Sequence, residues 1–203
     1  STLLHVLIAP SWGTAGLLER HADELLGTLL GAGLRVTLRP HPVTSRDHAA
    51  LIEQVMATHA CDRLTLDQDM RSRASLLESH VMISDWSGAA LEYAFGLNKP
   101  VLFVDMPRKV NNDDYKDLAL TPIEVSIRAD VGRVVAADDL AAIPAHIEAL
   151  CSDPGAFAET IADARARTID QLGASAKVAS DELQRLIAGD LSGPPGVDPM
   201  ASN

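Results

Sequence analysis

Two short segments combine residue types and spacing suited to a phosphorylated ligand. The first is Ser84-Asp85-Trp86-Ser87-Gly88, with Glu92 one helical turn further on. It lies between the apolar run Val81-Met82-Ile83 and a stretch from about Ala89 to Leu97 that reads as a helix. Where a strand turns into a helix, unpaired backbone N–H groups face outward and the helix dipole adds partial positive charge. Ser87 is placed to cap that helix, and Gly88 would let a ligand come close to the main chain. Such a turn suits a phosphate or diphosphate, and Glu92 is placed to accept hydrogen bonds from a ribose diol. The plainer alternative is an ordinary N-cap, because Ser and Asp are common ahead of helices.

The second segment is Arg39-Pro40-His41-Pro42, directly after the apolar run Leu34 to Leu38. An imidazole with a reference pKa near ~6.5 can serve as donor or acceptor. The flanking prolines stiffen its backbone, and Arg39 adds a fixed positive charge. Ligands of open α/β sheets bind outside the carboxyl ends of the strands. His41 and the 84–88 turn are therefore expected on one rim. A rigid loop carrying a surface histidine is the alternative.

The positioning elements follow from apolar periodicity. Strands are expected at Leu3–Ala9, Leu34–Leu38, Arg63–Leu66, Val81–Ile83, Val101–Val104 and Gly132–Val135. The run Leu3–Ala9, interrupted only by His5, suits a strand buried on both faces, and the strand–helix–strand unit from Val81 to Val104 is of the size expected for a parallel sheet, so a mostly parallel sheet is expected. Helices are expected after Thr14 with Leu17, Leu18, Leu25, Leu26, Leu29 and Leu30 inward, and at Ser45–His59, Met70–Glu78, Ala89–Leu97, Asp138–Leu150, Pro154–Leu172 and Ser175–Ile187. Asn98 suits the left-handed position past the fourth of these, and Pro100 stops it. Leu76 and Leu77 are expected to pack. Residues 189–203, rich in Gly, Pro, Ser and Asp, read as a disordered tail.

Several rim residues remain open between ligand contact and solvation. Asp67, Asp69, Arg71 and Arg73 form a charged loop from which Arg73 could reach a nucleotide or a second domain; a solvated run is the commoner outcome. Met106 to Asp117 is polar and irregular, the character of an active-site flap, with Arg108 and Lys109 as candidate phosphate contacts. Its Asp113, Asp114 and Asp117 lack histidine or regular spacing, so no metal is expected. Trp86 is placed either to stack on a base or to pack the turn.

The 203 residues are 47% hydrophobic and 22% charged, enough for one sizeable core. A net charge of −11 without a Lys/Arg cluster makes nucleic acid and anionic membranes poor partners. No stretch approaches the ~20 apolar residues of a membrane span, and no signal peptide is recognisable. Cys61 and Cys151 form no CxxC pair and read as reduced core thiols of a cytoplasmic protein. The histidines show no HExxH or HxxxH spacing. P-loop, Gly-x-Ser-x-Gly and Gly-rich dinucleotide patterns are absent, so no cofactor is expected.

Three segments together resemble the CDP-glycerol glycerophosphotransferase family, the teichoic-acid polymerases and primases. Ser84-Asp85-Trp86-Ser87-Gly88, Glu92 and Lys99-Pro100 are similar to that family's Ser-Asp-Tyr-Ser-Ser turn, helix acid and Lys-Pro. Ala9-Pro10-Ser11-Trp12 resembles its Ala-Pro-Thr-Trp, and Arg39-Pro40-His41-Pro42 its Arg-Pro-His-Pro. The resemblance runs from about Val6 to Ile187, the C-terminal half of a family member. It implies a Rossmann-like three-layer α/β/α domain over residues 1–188, one half of a GT-B fold. It implies His41 as the catalytic group and Arg39, Ser84, Asp85, Ser87, Gly88 and Glu92 as nucleotide and diphosphate contacts. The implied partners are a CDP-glycerol or similar donor, a polymer acceptor of the cell wall or capsule, and an N-terminal GT-B domain without which this half is inactive. The implied place is the cytoplasm, at the inner face of the membrane through that other half. Trp86 in place of Tyr and Gly88 in place of the second Ser depart from the pattern. They leave open a sugar-nucleotide glycosyltransferase, a UDP-N-acetylglucosamine 2-epimerase-like enzyme, or a non-catalytic nucleotide-binding module.

Overall fold

A computed structural model describes residues 3–108 and 121–190. Six strands, β1 (His5–Ile8), β2 (Arg35–Leu38), β3 (Leu64–Leu66), β4 (Val81–Ser84), β5 (Val101–Asp105) and β6 (Gly132–Ala136), form one sheet in the order β3-β2-β1-β4-β5-β6. Every pairing is parallel. Side chains alternate across the sheet. Val6 and Ile8 enter one apolar cluster with α1 (Leu17–Gly31), α3 (Ala49–Thr58) and α7 (Ile143–Ser152). Leu7 and Met82 enter the other, with α5 (Gly88–Leu97) and α8 (Pro154–Thr168). Helices thus cover both faces, giving the Rossmann-like three-layer α/β/α architecture expected. The order of strands reverses between β1 and β4, so the crevice of such a sheet opens between the loops that follow these two.

The left-handed turn after α5 forms at Asn98 (φ 52°, ψ 39°). Elsewhere polar side chains reshape the expected helices. The segment 45–59 divides into α2 (Pro42–Asp47) and α3 at His48, whose backbone leaves the helical region. The helix expected from Met70 shrinks to α4 (Ala74–Glu78). Asp67 and Asp69 accept from the Asp69 and Arg71 backbone N–H groups, and Ser72 Oγ accepts from Ala74 N, so local turns outcompete the helix. Leu77 is exposed rather than packed, Leu76 is half-buried, and Ser75 is the buried residue of this turn. The helix expected from Asp138 begins as a 3-10 turn, Leu140–Ala142, and α8 ends at Thr168 rather than Leu172. A short α6 (Ile123–Ser126) has no counterpart in the apolar periodicity. Cys61 is exposed in the turn before β3 and Cys151 only half-buried, so the expectation of two core thiols is corrected. The expectations for Lys109, Asp113, Asp114 and Asp117, and for the tail from residue 191, lie outside the described residues.

The chain divides into two compact units, residues 1–164 and 165–203. The first holds the sheet, α1 to α7 and most of α8. The second carries α9 (Ser175–Ile187), with Lys177 paired to Asp181 and Arg185 to Glu182 on its surface. Among the described residues no helix is long and apolar enough to cross a membrane.

One strand residue should make the fold sensitive to acid. His5 is buried in β1 with Nε2 2.8 Å from Thr37 Oγ1 and Nδ1 without a hydrogen-bond partner among the described residues. Burial chiefly, and the charge of Arg35, lower its pKa. A base weaker in the folded than in the unfolded state takes up protons on unfolding. Its share of stability is therefore complete above about 6.5, the unfolded value, and is lost as the pH falls from there through the lower folded value. Melting temperatures followed from pH 7.5 to 5 should fall, and His5→Gln should flatten that slope. An unchanged slope would exclude His5 as its source.

Candidate functional site

The loops after β1, β2, β4 and β5 emerge at the carboxyl edge of the sheet. Their lower layer is structural. Ser84 is fully buried and its Oγ donates to Ala9 O at 2.7 Å. Asp85 is also buried, and its two carboxylate oxygens accept from Ser11 N at 2.6 Å and Leu17 N at 3.1 Å. Leu17 opens α1, whose N-cap is Gly16, a residue with no side chain to offer. Asp85 therefore supplies, from the neighbouring strand, the cap that α1 lacks, and its charge suits the positive end of the helix dipole. Ser84 and Asp85 were expected to touch a diphosphate. Their side-chain groups are instead engaged by the β1–α1 loop, which they tie across the switch point.

Above this layer, His41, Arg39, Ser87 and Glu92 line one cavity of about 500 Å³. Its remaining wall is largely apolar and includes Met70, Leu76 and Leu97. Ser87 is the N-cap of α5, its Oγ accepting from Ala89 N at 3.4 Å. Glu92 is exposed and faces this space rather than the core. Gly88 is the first residue of α5 and is exposed; a Cβ there would meet nothing within 4 Å, so the position does not itself demand glycine.

His41 caps α2: its Nδ1 accepts from Val43 N at 3.1 Å. That bond fixes the tautomer, and the neutral ring carries its proton on Nε2. The Trp12 ring lies 6.1 Å from the imidazole, tilted by 32°. Arg39 is buried, with Nη1 2.5 Å from Asp67 Oδ2 and 3.2 Å from Ser75 Oγ. Burial acts most strongly on Asp67 and raises its pKa, yet the Ser75 and Arg39 hydrogen bonds and the Arg39 charge together outweigh it and hold the carboxyl below its usual value. Arg39 thus reaches the cavity with its charge already paired. Arg73 lines the same cavity and is exposed.

Trp86 packs the turn. Its Nε1 donates to Met106 O at 2.6 Å, and the Arg128 guanidinium lies 4.2 Å from the ring centroid. Sequence patterning offered no signal for Arg128. Lys99 also proves structural, its Nζ donating to Leu77 O at 2.6 Å and Ser79 O at 2.7 Å, where it satisfies carbonyls at the end of α4. Among the described residues no cluster of three or more His, Cys, Asp or Glu could hold a metal ion.

No protein-family model matches the chain, and no curated protein matches it. Solved structures do. A protein described as a UDP-N-acetylglucosamine 2-epimerase from Listeria monocytogenes is similar over 92% of this chain and 46% of its own, at 15% identity and a TM-score of 0.56. WaaG, a glycosyltransferase of lipopolysaccharide biosynthesis, is similar over 93% and 48%, at 15% identity and 0.54. The C-terminal CMP-Kdo binding domain of WaaA from Acinetobacter baumannii is similar over 80% and 88%, at 15% identity and 0.50. The chain spans about half the length of the first two. At this identity the likeness shows the fold alone, the Rossmann-like architecture of one half of a GT-B fold.

Proposed function

We propose that residues 1–188 form the donor-binding half of a nucleotide-dependent transferase, and that the donor is CDP-glycerol or a related polyol phosphate. The observation that supports this is the shared cavity: the N-terminus of α5 at Ser87, the Glu92 carboxylate and the His41 imidazole border one space. In this reading the diphosphate lies against the Ser87–Ala89 backbone, where N–H groups and the helix dipole favour negative charge. Glu92 accepts from the ribose hydroxyls. His41 donates Nε2–H to an oxygen of the diphosphate. With Nδ1 held as an acceptor by Val43 N, the neutral ring has no second proton to replace one given away. His41 therefore stabilises the leaving diphosphate by a hydrogen bond as negative charge builds on it, and full proton transfer would require breaking the α2 cap. The group that activates the acceptor hydroxyl, and the polymer that carries it, are assigned to a second domain of the whole protein.

A second reading, a UDP-linked sugar donor, draws support from the bare first turn of α5. Gly88 stands where the polyol-phosphate family carries serine, and a Ser-Gly turn followed by Glu is the pattern it would share with sugar-nucleotide enzymes.

Isothermal titration with CDP, UDP and ADP separates these. CDP should bind preferentially, and Glu92→Gln should weaken it about tenfold, or about 1.4 kcal/mol. His41→Gln should lower affinity for CDP more than for CMP. Preference for UDP selects the second reading. Failure of all three nucleotides to bind would remove the donor-site reading.

A further inference from the structure

The carboxyl ends of β5 and β6 hold a second arrangement, which shares no lining residue with the His41 cavity. Arg128, beyond α6, is only 5% exposed. Its guanidinium lies 4.2 Å from the Trp86 ring centroid and 4.9 Å from that of Phe103. Nη1 donates to Asp105 Oδ1 at 2.8 Å. Nε and Nη2 are buried and have no hydrogen-bond partner among the described residues.

Those two nitrogens form a matched pair. The Nε–H and one N–H of Nη2 leave the same edge of the guanidinium plane in parallel, at the spacing of two oxygens of a carboxylate or phosphate. The two aromatic rings attract the cation through their π faces without offering an acceptor to that edge. A buried charged donor left unmatched is costly, more so than a neutral one. Arg128 lines an open cavity of about 640 Å³ together with Trp86, Asp105, Arg108 and Val134. Arg108 is exposed and adds a second guanidinium 5.5 Å from the Trp86 ring. Among the described lining residues, two cations stand against the Asp105 carboxylate and make this corner locally positive, in a chain of net charge −11.

We propose that this corner binds an oxyanion, a phosphate or carboxylate group of a ligand, held in bidentate fashion on the Nε/Nη2 edge of Arg128 with Trp86 as the platform that orients it. Nε and Nη2 are shielded from water, so an anion reaches them by a local displacement of the groups that cover that edge, while the Trp86 indole stays against the guanidinium. Trp86 is then the natural reporter, and Trp12→Phe leaves it as the single tryptophan of the two in the chain.

The test is emission from Trp86 in Trp12→Phe protein, titrated with inorganic phosphate and separately with acetate, at ionic strength held constant with sodium chloride. At least one anion should give a saturable change; saturation by acetate alone would identify a carboxylate ligand, and by phosphate alone a phosphoryl group. Arg128→Gln should abolish the response. Arg128→Lys, which keeps the charge and loses the fork, should weaken it at least tenfold and decides the matter if Arg128→Gln does not fold. Arg71→Gln, which removes an equal charge from an exposed loop, should leave it unchanged. No saturation by either anion, an undiminished response in Arg128→Lys, or an equal loss in Arg71→Gln would overturn the proposal. Nucleotide titration reports on the separate Glu92 cavity, so either site can fail while the other stands.

Discussion

Gly132→Ala should destabilise the protein by about 3 kcal/mol or more, the upper range for forcing an atom into a filled space. Gly132 begins β6 and lies in register with Val101 of β5. An ideal Cβ on it would fall 1.7 Å from Val101 O, 2.6 Å from Val101 C and 2.9 Å from Val101 N. All three obstacles are backbone of a fully buried residue, so no side chain can swing aside. Relief requires β6 to leave β5, which takes Val131 and Val135 out of the core. In a domain of this size 1 kcal/mol corresponds to about 2–4 °C, so melting should fall by about 6–12 °C. Gly31→Ala is the matching control: its Cβ would meet nothing within 4 Å, and it ends a helix, so it should be neutral or gain up to about 1 kcal/mol. Urea unfolding followed by circular dichroism measures both. A Gly132→Ala protein as stable as Gly31→Ala would contradict the close approach.

The second large effect belongs to Asp85. Asp85→Ala leaves the Ser11 and Leu17 N–H groups without their acceptor and strips α1 of the carboxylate that caps it. Buried donors left unmatched cost about 1–3 kcal/mol each, partly recovered if water enters, so about 3 kcal/mol is expected. Asp85→Asn keeps one accepting oxygen and should cost about half as much. Hydrogen exchange gives the specific signature: the Ser11 and Leu17 amides should lose protection while β2 amides keep theirs. The loop that ends at Leu17 borders the crevice, so if the proposed donor site is right, nucleotide affinity should fall with them. If Asp85→Ala costs less than about 0.5 kcal/mol, the carboxylate is not the cap.

Asp85 also shows where sequence reading stopped short. Its position next to a helix start correctly placed it at the rim, but a carboxylate beside a capping serine looks the same whether it faces a ligand or the chain. Only the three-dimensional return of β1 beside β4 decides, because the groups it holds are contributed by Ser11 and Leu17. The central strands β1, β4 and β5 were legible because their short apolar runs are buried on both faces and bounded by turn residues, whereas β3 and β6 are partly exposed and were marked by their spacing between helices. Segment 70–73 was misread as helix because Asp67, Asp69 and Ser72 bond to nearby backbone, a local competition that apolar spacing does not register. Arg128 was invisible for a different reason. Its partners lie well before it in the chain, Trp86 in the turn after β4 and Phe103 and Asp105 on β5, and nothing near it in sequence marks it as buried.

The strand order carries a consequence for synthesis. β1 lies in the interior of the sheet, between β2 and β4, and precedes both along the chain. A nascent chain can zip β1 to β2 early, but the other side of β1 stays open until residues 81–84 have been added. At ~5–20 residues per second that interval lasts on the order of several seconds. Throughout it an apolar ribbon with unsatisfied amides is offered to any passing strand, so yield in cells should respond to translation speed and to holding chaperones more than the finished domain's stability would suggest.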